Sequence, residues 1–110
     1  MTVSVAGKRP KLDPEGYLCQ LTDWSPEVAQ WLAEQEGIKL SDDHWAILYR
    51  LRDFYHTFEL APAMRPLTRY LRQHLPAEKT TSIHLMQLFG SSPAKMAAKL
   101  AGLPKPDNCL

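Results

Sequence analysis

Two thiols carry the most reactive chemistry that this chain of 110 residues can offer, Cys19 and the penultimate Cys109. A cysteine attacks as its thiolate, and an exposed thiol with the ordinary pKa near 8.5 is only a few per cent ionised at neutral pH. Around Cys109, Lys105 favours the thiolate, while Asp107 and the terminal carboxylate of Leu110 oppose it. The tail by itself is therefore a modest nucleophile, and its reactivity depends on cations or N–H donors supplied by a docked partner. Judged on residues alone, Cys109 reads equally as an accidental thiol on a frayed chain end. Prenylation is disfavoured, because a lipidated cysteine stands fourth from the end and only Leu110 follows here.

Other chemistry is thinly represented. Cys19 and Cys109 have no C-x-x-C partner, and His44, His56, His74 and His84 are scattered without ligand spacing, so no metal site is expected. Cys19 reads as an incidental, half-buried thiol. No glycine-rich phosphate loop occurs, so no nucleotide cofactor is expected. Arg65, Arg69 and Arg72 fall within roughly 60° of one another at a helical 100° step. They form either a face for RNA or a protein partner, or the solvated side of an amphipathic helix. Residues 1–60 hold six Lys/Arg against ten Asp/Glu, and residues 61–110 hold seven against two. A basic second half suits an acidic partner surface or RNA, and equally a face that meets only solvent.

The elements that must position these groups read as helices. Ser25-Pro26-Glu27 is an N-cap, a first-turn proline and an acid at the positive end of a helix dipole, and Gly37 stops that helix after about Glu36. Ser41 with Asp42 and Asp43 caps a second helix to about Glu59, in which Ile47, Leu48, Leu51, Phe54, Tyr55 and Phe58 share an arc of about 120°. This reads as the central core helix. Trp45 and Tyr49 lie off its arc and are expected to pack against the N-terminal hairpin or the last helix. A third helix opens at Pro62 and runs to about Leu75, burying Met64, Leu67, Leu71 and Leu75; a short fourth starts at Thr81 or Ser82 and ends at Gly90. Ser92-Pro93 caps a fifth, ending at Gly102, with Ala94, Ala97, Ala98 and Ala101 on one face. Alternation over Thr2 to Val5 and the turn signal Pro14-Glu15-Gly16 predict a small N-terminal β-hairpin.

The predicted fold is mainly α: about five helices in an orthogonal bundle over residues 1–102, with the hairpin in front and an extended arm, residues 103–110, behind. Pro104 and Pro106 forbid helix and favour a polyproline-like course, so the arm is expected to project by up to about 25 Å at roughly 3.1 Å per residue. Hydrophobic residues at 45% and charged residues at 23% indicate a globular chain rather than a disordered one. No apolar run is long enough to cross a bilayer, and MTVSVAGKRP lacks the pattern of a secretory signal, so a cytoplasmic location is expected.

Several strings together resemble the DsrC/TusE family. They are Ser92-Pro93-Ala94-Lys95, the run Ala98-Lys99-Leu100-Ala101-Gly102-Leu103-Pro104-Lys105-Pro106, and the penultimate Cys109. Upstream the resemblance continues through Asp13-Pro14-Glu15-Gly16-Tyr17-Leu18, Trp24-Ser25, His44-Trp45, Arg52-Asp53-Phe54-Tyr55 and Pro62-Ala63-Met64-Arg65, nearly the whole chain. The resemblance implies that Cys109 is the sulfur-carrying residue. Members tied to dissimilatory sulfite reductase carry a second cysteine eleven residues earlier, where this chain has Ala98, so the single-cysteine TusE branch fits better. That branch implies a sulfurtransferase relaying persulfide sulfur from a TusBCD-like donor to a MnmA-like thiouridylase, for 2-thiolation of the wobble uridine of tRNA. Lys105 and the three arginines are the expected partner-binding residues. The alternatives are a dissimilatory sulfite reductase partner and a helix-turn-helix nucleic-acid binder, in which the arginine-bearing helix would enter a major groove.

Overall fold

Helix starts and stops follow local hydrogen-bond chemistry closely. A computed structural model describes residues 10–106, and among these are five α-helices: α1 (Pro26–Gln35), α2 (Asp42–Phe58), α3 (Met64–Arg72), α4 (Ser82–Phe89) and α5 (Pro93–Leu100). Short 3-10 turns at Leu21–Asp23 and Ala77–Lys79 precede α1 and α4. Ser25 Oγ accepts the Val28 N–H at 3.2 Å, and Thr81 Oγ1 accepts that of His84 at 3.1 Å. Each bond satisfies one of the donors that a helix start leaves unpaired. Pro66 is accommodated in the first turn of α3, where its missing N–H would have had no intrahelical partner; the first backbone bond there runs from Leu67 N to Ala63 O.

The hub of the packing is α5 rather than α2. The alanine-faced α5 contacts α1, α2, α3 and α4, with Ala94, Ala97, Ala98, Leu100 and Ala101 buried. Small side chains let four helices approach one axis closely, and the bulk of the core comes from Val28, Leu32, Ile47, Leu48, Leu51, Leu67, Leu71 and Leu85 on those helices. Several expectations change. Phe58 sits inside the predicted apolar arc of α2 yet is 54% exposed, because a helical wheel gives the angle of a residue and not whether a neighbour reaches its level along the axis. Met64 and Leu75 are half-buried, and α3 is shorter than predicted at both ends. Cys19 is exposed rather than half-buried.

Among the described residues the predicted N-terminal hairpin is not seen. Thr2 to Val5, its first strand, lies outside the described residues. What the described residues contain is one antiparallel bridge, Leu12 to Leu18. Asp13 closes the turn between them, its Oδ1 accepting the N–H groups of Glu15 and Tyr17 at 2.9 Å each, and Gly16 supplies the left-handed φ of 91°. Among the described residues no helix is long and apolar enough to cross a membrane.

Candidate functional site

The arm leaves the domain at the C-terminal end of α5, where every backbone carbonyl of the last turn has a partner. Gly102, at φ 75°, forms a Schellman cap: Leu103 N–H donates to Ala98 O at 2.9 Å, and Gly102 N–H to Lys99 O at 3.1 Å. Two carbonyls point onward, those of Leu100 and Ala101. Trp24 Nε1 donates to the first at 2.9 Å, and Arg52 Nη1 to the second at 2.7 Å. The Arg52 guanidinium also lies 4.1 Å above the centre of the Trp24 ring. Burial pushes the pKa of Arg52 below its ordinary value, but an arginine remains a cation, well placed at the negative end of a helix dipole.

Tyr49 meets Trp24 edge-on at 5.9 Å and is stacked by Trp45 at 6.0 Å. Trp45, Tyr49 and Arg52 thus form a second stripe on α2, spaced four and three residues apart, that buttresses Trp24 against the end of α5. The aromatic partner of Tyr49 is Trp24, on the segment just before α1, rather than the hairpin or the last helix. The roles of Trp24 and Arg52 were not read from sequence, since their partners are backbone carbonyls some 50 to 80 residues away.

Beyond Gly102 the chain is irregular but not free of the body as far as it is described. Leu103 is buried, Pro106 is buried, and Lys105 Nζ lies 2.9 Å from Glu15 Oε2. The expected projection is therefore corrected for residues 103–106, of which Leu103 and Pro106 are buried and Lys105 is paired with Glu15. Leu103 is drawn inward because the residue following a Schellman glycine packs against the last helical turn. Lys105, expected to serve a partner, is engaged by its own domain. Cys109, Asp107 and Leu110 lie outside the described residues.

Arg65, Arg69 and Arg72 are all exposed on one face of α3, as their spacing predicts. Ala98 is a fully buried residue of α5 and not part of the arm. An open groove of about 570 Å³ runs between the α4–α5 connection and the end of α1, edged by Glu15, Glu36, Lys95 and Lys99. Its charged rim differs from the mostly apolar lining of a small-molecule pocket. Lys99 is held by Glu36 at 3.2 Å and lies 5.2 Å from the Tyr17 ring centre. Among the described residues no three metal-ligating side chains come together.

Known proteins share both this sequence and this geometry. A family model described as DsrC-like protein matches residues 4–110. The chain belongs to the DsrC/TusE family. The protein named sulfurtransferase TusE of Escherichia coli K12 is 44% identical over 104 residues, 94% of this chain and 95% of that one. Its namesake in Yersinia pseudotuberculosis is 47% identical over 98 residues, 89% of this chain and 91% of that one. Among solved structures, DsrC of Allochromatium vinosum superimposes with a TM-score of 0.87 at 44% identity, covering 99% of this chain and 97% of that one. The oxidized gamma-subunit of the dissimilatory sulfite reductase (DsrC) from Archaeoglobus fulgidus gives 0.82 at 34%, covering 94% and 95%. The helical fold of this DsrC/TusE chain is thus that of the family, and sulfur transfer is the general activity for which its TusE relatives are named.

Proposed function

We propose that this chain is a cytoplasmic sulfur carrier of the TusE type, with Cys109 as the residue that holds the sulfur. The observation carrying this reading is the penultimate cysteine in a chain 44% identical to a protein named sulfurtransferase TusE over almost its full length. In the loading step the Cys109 thiolate attacks the outer sulfur of a donor persulfide, the donor's S–S bond breaks, and the donor departs as a thiolate. Cys109 then carries the outer sulfur as a persulfide. In the unloading step an acceptor thiolate attacks that same outer sulfur, and Cys109 leaves as a thiolate. Each exchange conserves the number of S–S bonds, so neither needs an outside oxidant or reductant. A TusBCD-like complex is the proposed donor. A MnmA-like thiouridylase with its tRNA is the proposed acceptor, activating the wobble uridine for 2-thiolation.

A second reading, a partner of dissimilatory sulfite reductase, is favoured by the likeness to solved DsrC structures. Ala98 argues against it. With no thiol at position 98, Cys109 has no second cysteine of that motif with which to close an intramolecular bond, and its chemistry is directed between proteins. Intact mass after incubation with a persulfidated donor tests the carrier directly. A gain of one sulfur is expected, retained in Cys19→Ser and abolished in Cys109→Ser. A wild-type protein that gains no sulfur from a competent donor overturns the carrier reading. Sequence-specific duplex binding that survives Cys109→Ser would favour the helix-turn-helix alternative.

A further inference from the structure

We propose that the pocket at which α3, α4 and α5 begin is a docking site for an acidic segment of a partner protein, which inserts an aliphatic side chain there. The mostly apolar lining includes Met64 at the start of α3, Met86 of α4, and Pro93, Ala94 and Lys95 in the first turn of α5. At about 210 Å³ the pocket is smaller than the roughly 300–1,000 Å³ of small-molecule sites, a size that suits one inserted side chain. Apolar surface continues outside it. Met86 is 45% exposed, and Ile83, one turn earlier on the same side of α4, is 70% exposed. A mostly apolar pocket continued by two large apolar side chains left in water is a surface that covering would stabilise. The thioethers of Met64 and Met86 let such a surface adapt to the side chain it receives.

Charge selects the partner. The three helices that line the pocket carry Arg65, Arg69, Arg72, Lys95 and Lys99 and not one Asp or Glu. All three start at the pocket, so the positive ends of their dipoles add to the charge of the side chains. The acids of the adjoining groove are already neutralised: Glu15 is paired with Lys105 at 2.9 Å and Glu36 with Lys99 at 3.2 Å. Lys95 borders both the pocket and that groove, and among the described residues it takes part in no ion pair. Acidic surface is therefore the complement. RNA is acidic too, but proteins hold its unpaired bases by stacking them on aromatic rings, and no ring lines this pocket. The site is argued from geometry and charge alone; the choice of proteins to test against it rests on the carrier reading above.

Binding is measured in a Cys109→Ser background, so that no sulfur exchange contributes, against a TusBCD-like complex, a MnmA-like thiouridylase and tRNA alone. Ile83→Gln/Met86→Gln is expected to raise the Kd for at least one of the two proteins by about tenfold or more, the loss expected when a central apolar contact is removed. Met86→Leu, which keeps an apolar side chain of similar volume, should stay within about threefold of the parent. Lys95→Glu should also weaken that complex and flatten its dependence on salt. Ile83 and Met86 are exposed, so thermal unfolding should show the double variant folded as stably as the parent. Unchanged affinity of the double variant for both proteins overturns the inference, as does a parent that binds neither. A loss with Lys95→Glu alone overturns it as well, since charge without the pocket is then sufficient, and so does a loss seen only with tRNA. The carrier reading is judged separately: it fails if the chain with Cys109 intact gains no sulfur from a competent persulfidated donor, whatever these affinities.

Discussion

Gly102 lies directly beneath the indole of Trp24: a β-carbon at Gly102 would stand 2.8 Å from Trp24 Cγ and 2.9 Å from its Cβ. Gly37 ends α1 with a similar positive φ, 72° against 75°, but has nothing within 4 Å of the same hypothetical atom. The pair separates backbone cost from steric cost. Gly37→Ala should lose only the left-handed backbone penalty, on the order of 1–2 kcal/mol. Gly102→Ala adds overpacking against a supported indole, for a total of roughly 2–5 kcal/mol. Urea unfolding of both variants measures the difference, and equal losses would show that Trp24 moves aside freely.

His44 joins the start of α2 to the end of α4. Its Nδ1 lies 3.0 Å from Ser41 N and 2.8 Å from Ser41 Oγ, and its Nε2 lies 2.7 Å from Leu88 O. Because Ser41 N–H can only donate, Nδ1 accepts from it, which leaves Nε2 to donate to Leu88 O. The ring, 6% exposed, also meets Phe89 edge-on at 5.0 Å. His44→Ala leaves two backbone groups short of a partner and is expected to cost about 2–4 kcal/mol. His44→Gln restores the capping-box pattern at Ser41 without also reaching Leu88, and should fall between the two. Thermal unfolding followed by circular dichroism checks the order; a glutamine variant no better than alanine would remove the cap from the account.

Legibility in the sequence followed the range of the interaction. Ser25, Ser92-Pro93, Gly37, Gly90 and Gly102 mark helix ends through bonds to residues a turn away, and the helices begin and end beside them. Phe58 shares the apolar arc of α2 yet stays exposed, and α5 rather than α2 is the hub, because periodicity says which residues share a face but not what covers it. The support beneath the arm was harder still. Its signals were present: Trp45, Tyr49 and Arg52 form a second stripe on α2, Trp24 sits just before a helix cap, and Gly102 follows the last helix. What joins them is a pair of bonds to carbonyls, which every residue possesses, so no side-chain type announces the partner. Cys109 was legible as a candidate through its place in a family string, not through any local physical signal.

Asp43 and Lys79 tie the first turn of α2 to the 3-10 turn before α4 at 2.7 Å. The hydrogen bond from Lys79 holds the Asp43 carboxyl below its ordinary 3.8, and Lys79 is correspondingly raised above 10.5. The depressed carboxyl contributes stability that is present above its unfolded pKa and lost as pH falls through the lower folded value. The raised ammonium contributes stability that is complete below its unfolded pKa and lost as pH rises through the higher folded value. Lys79→Ala should therefore lower the melting temperature slightly across neutral pH and leave little difference from wild type in strong acid, well below pH about 3.9. The pair is exposed, so about 1 M salt should shrink the neutral-pH gap as well. A gap that persists in acid and in salt would assign the effect to lost packing rather than charge.

Arg65, Arg69 and Arg72 stand exposed on α3, which carries no acidic residue, and none of them contributes to the buried core formed by Leu67 and Leu71. Removing all three charges should therefore leave stability within about 0.5 kcal/mol per site, the usual range for surface positions. The solvated-face and docking-face readings part at binding. If the face docks the acidic surface of a partner or the phosphates of tRNA, Arg65→Ala/Arg69→Ala/Arg72→Ala weakens that complex and flattens its dependence on salt, since fewer counterions are released or screened. Titrating the variant and the parent against the donor complex and against tRNA, each at two salt concentrations, reads this out. Matching affinities and salt slopes in both titrations would assign the arginines to solubility alone. A loss confined to one titration would identify which partner meets α3.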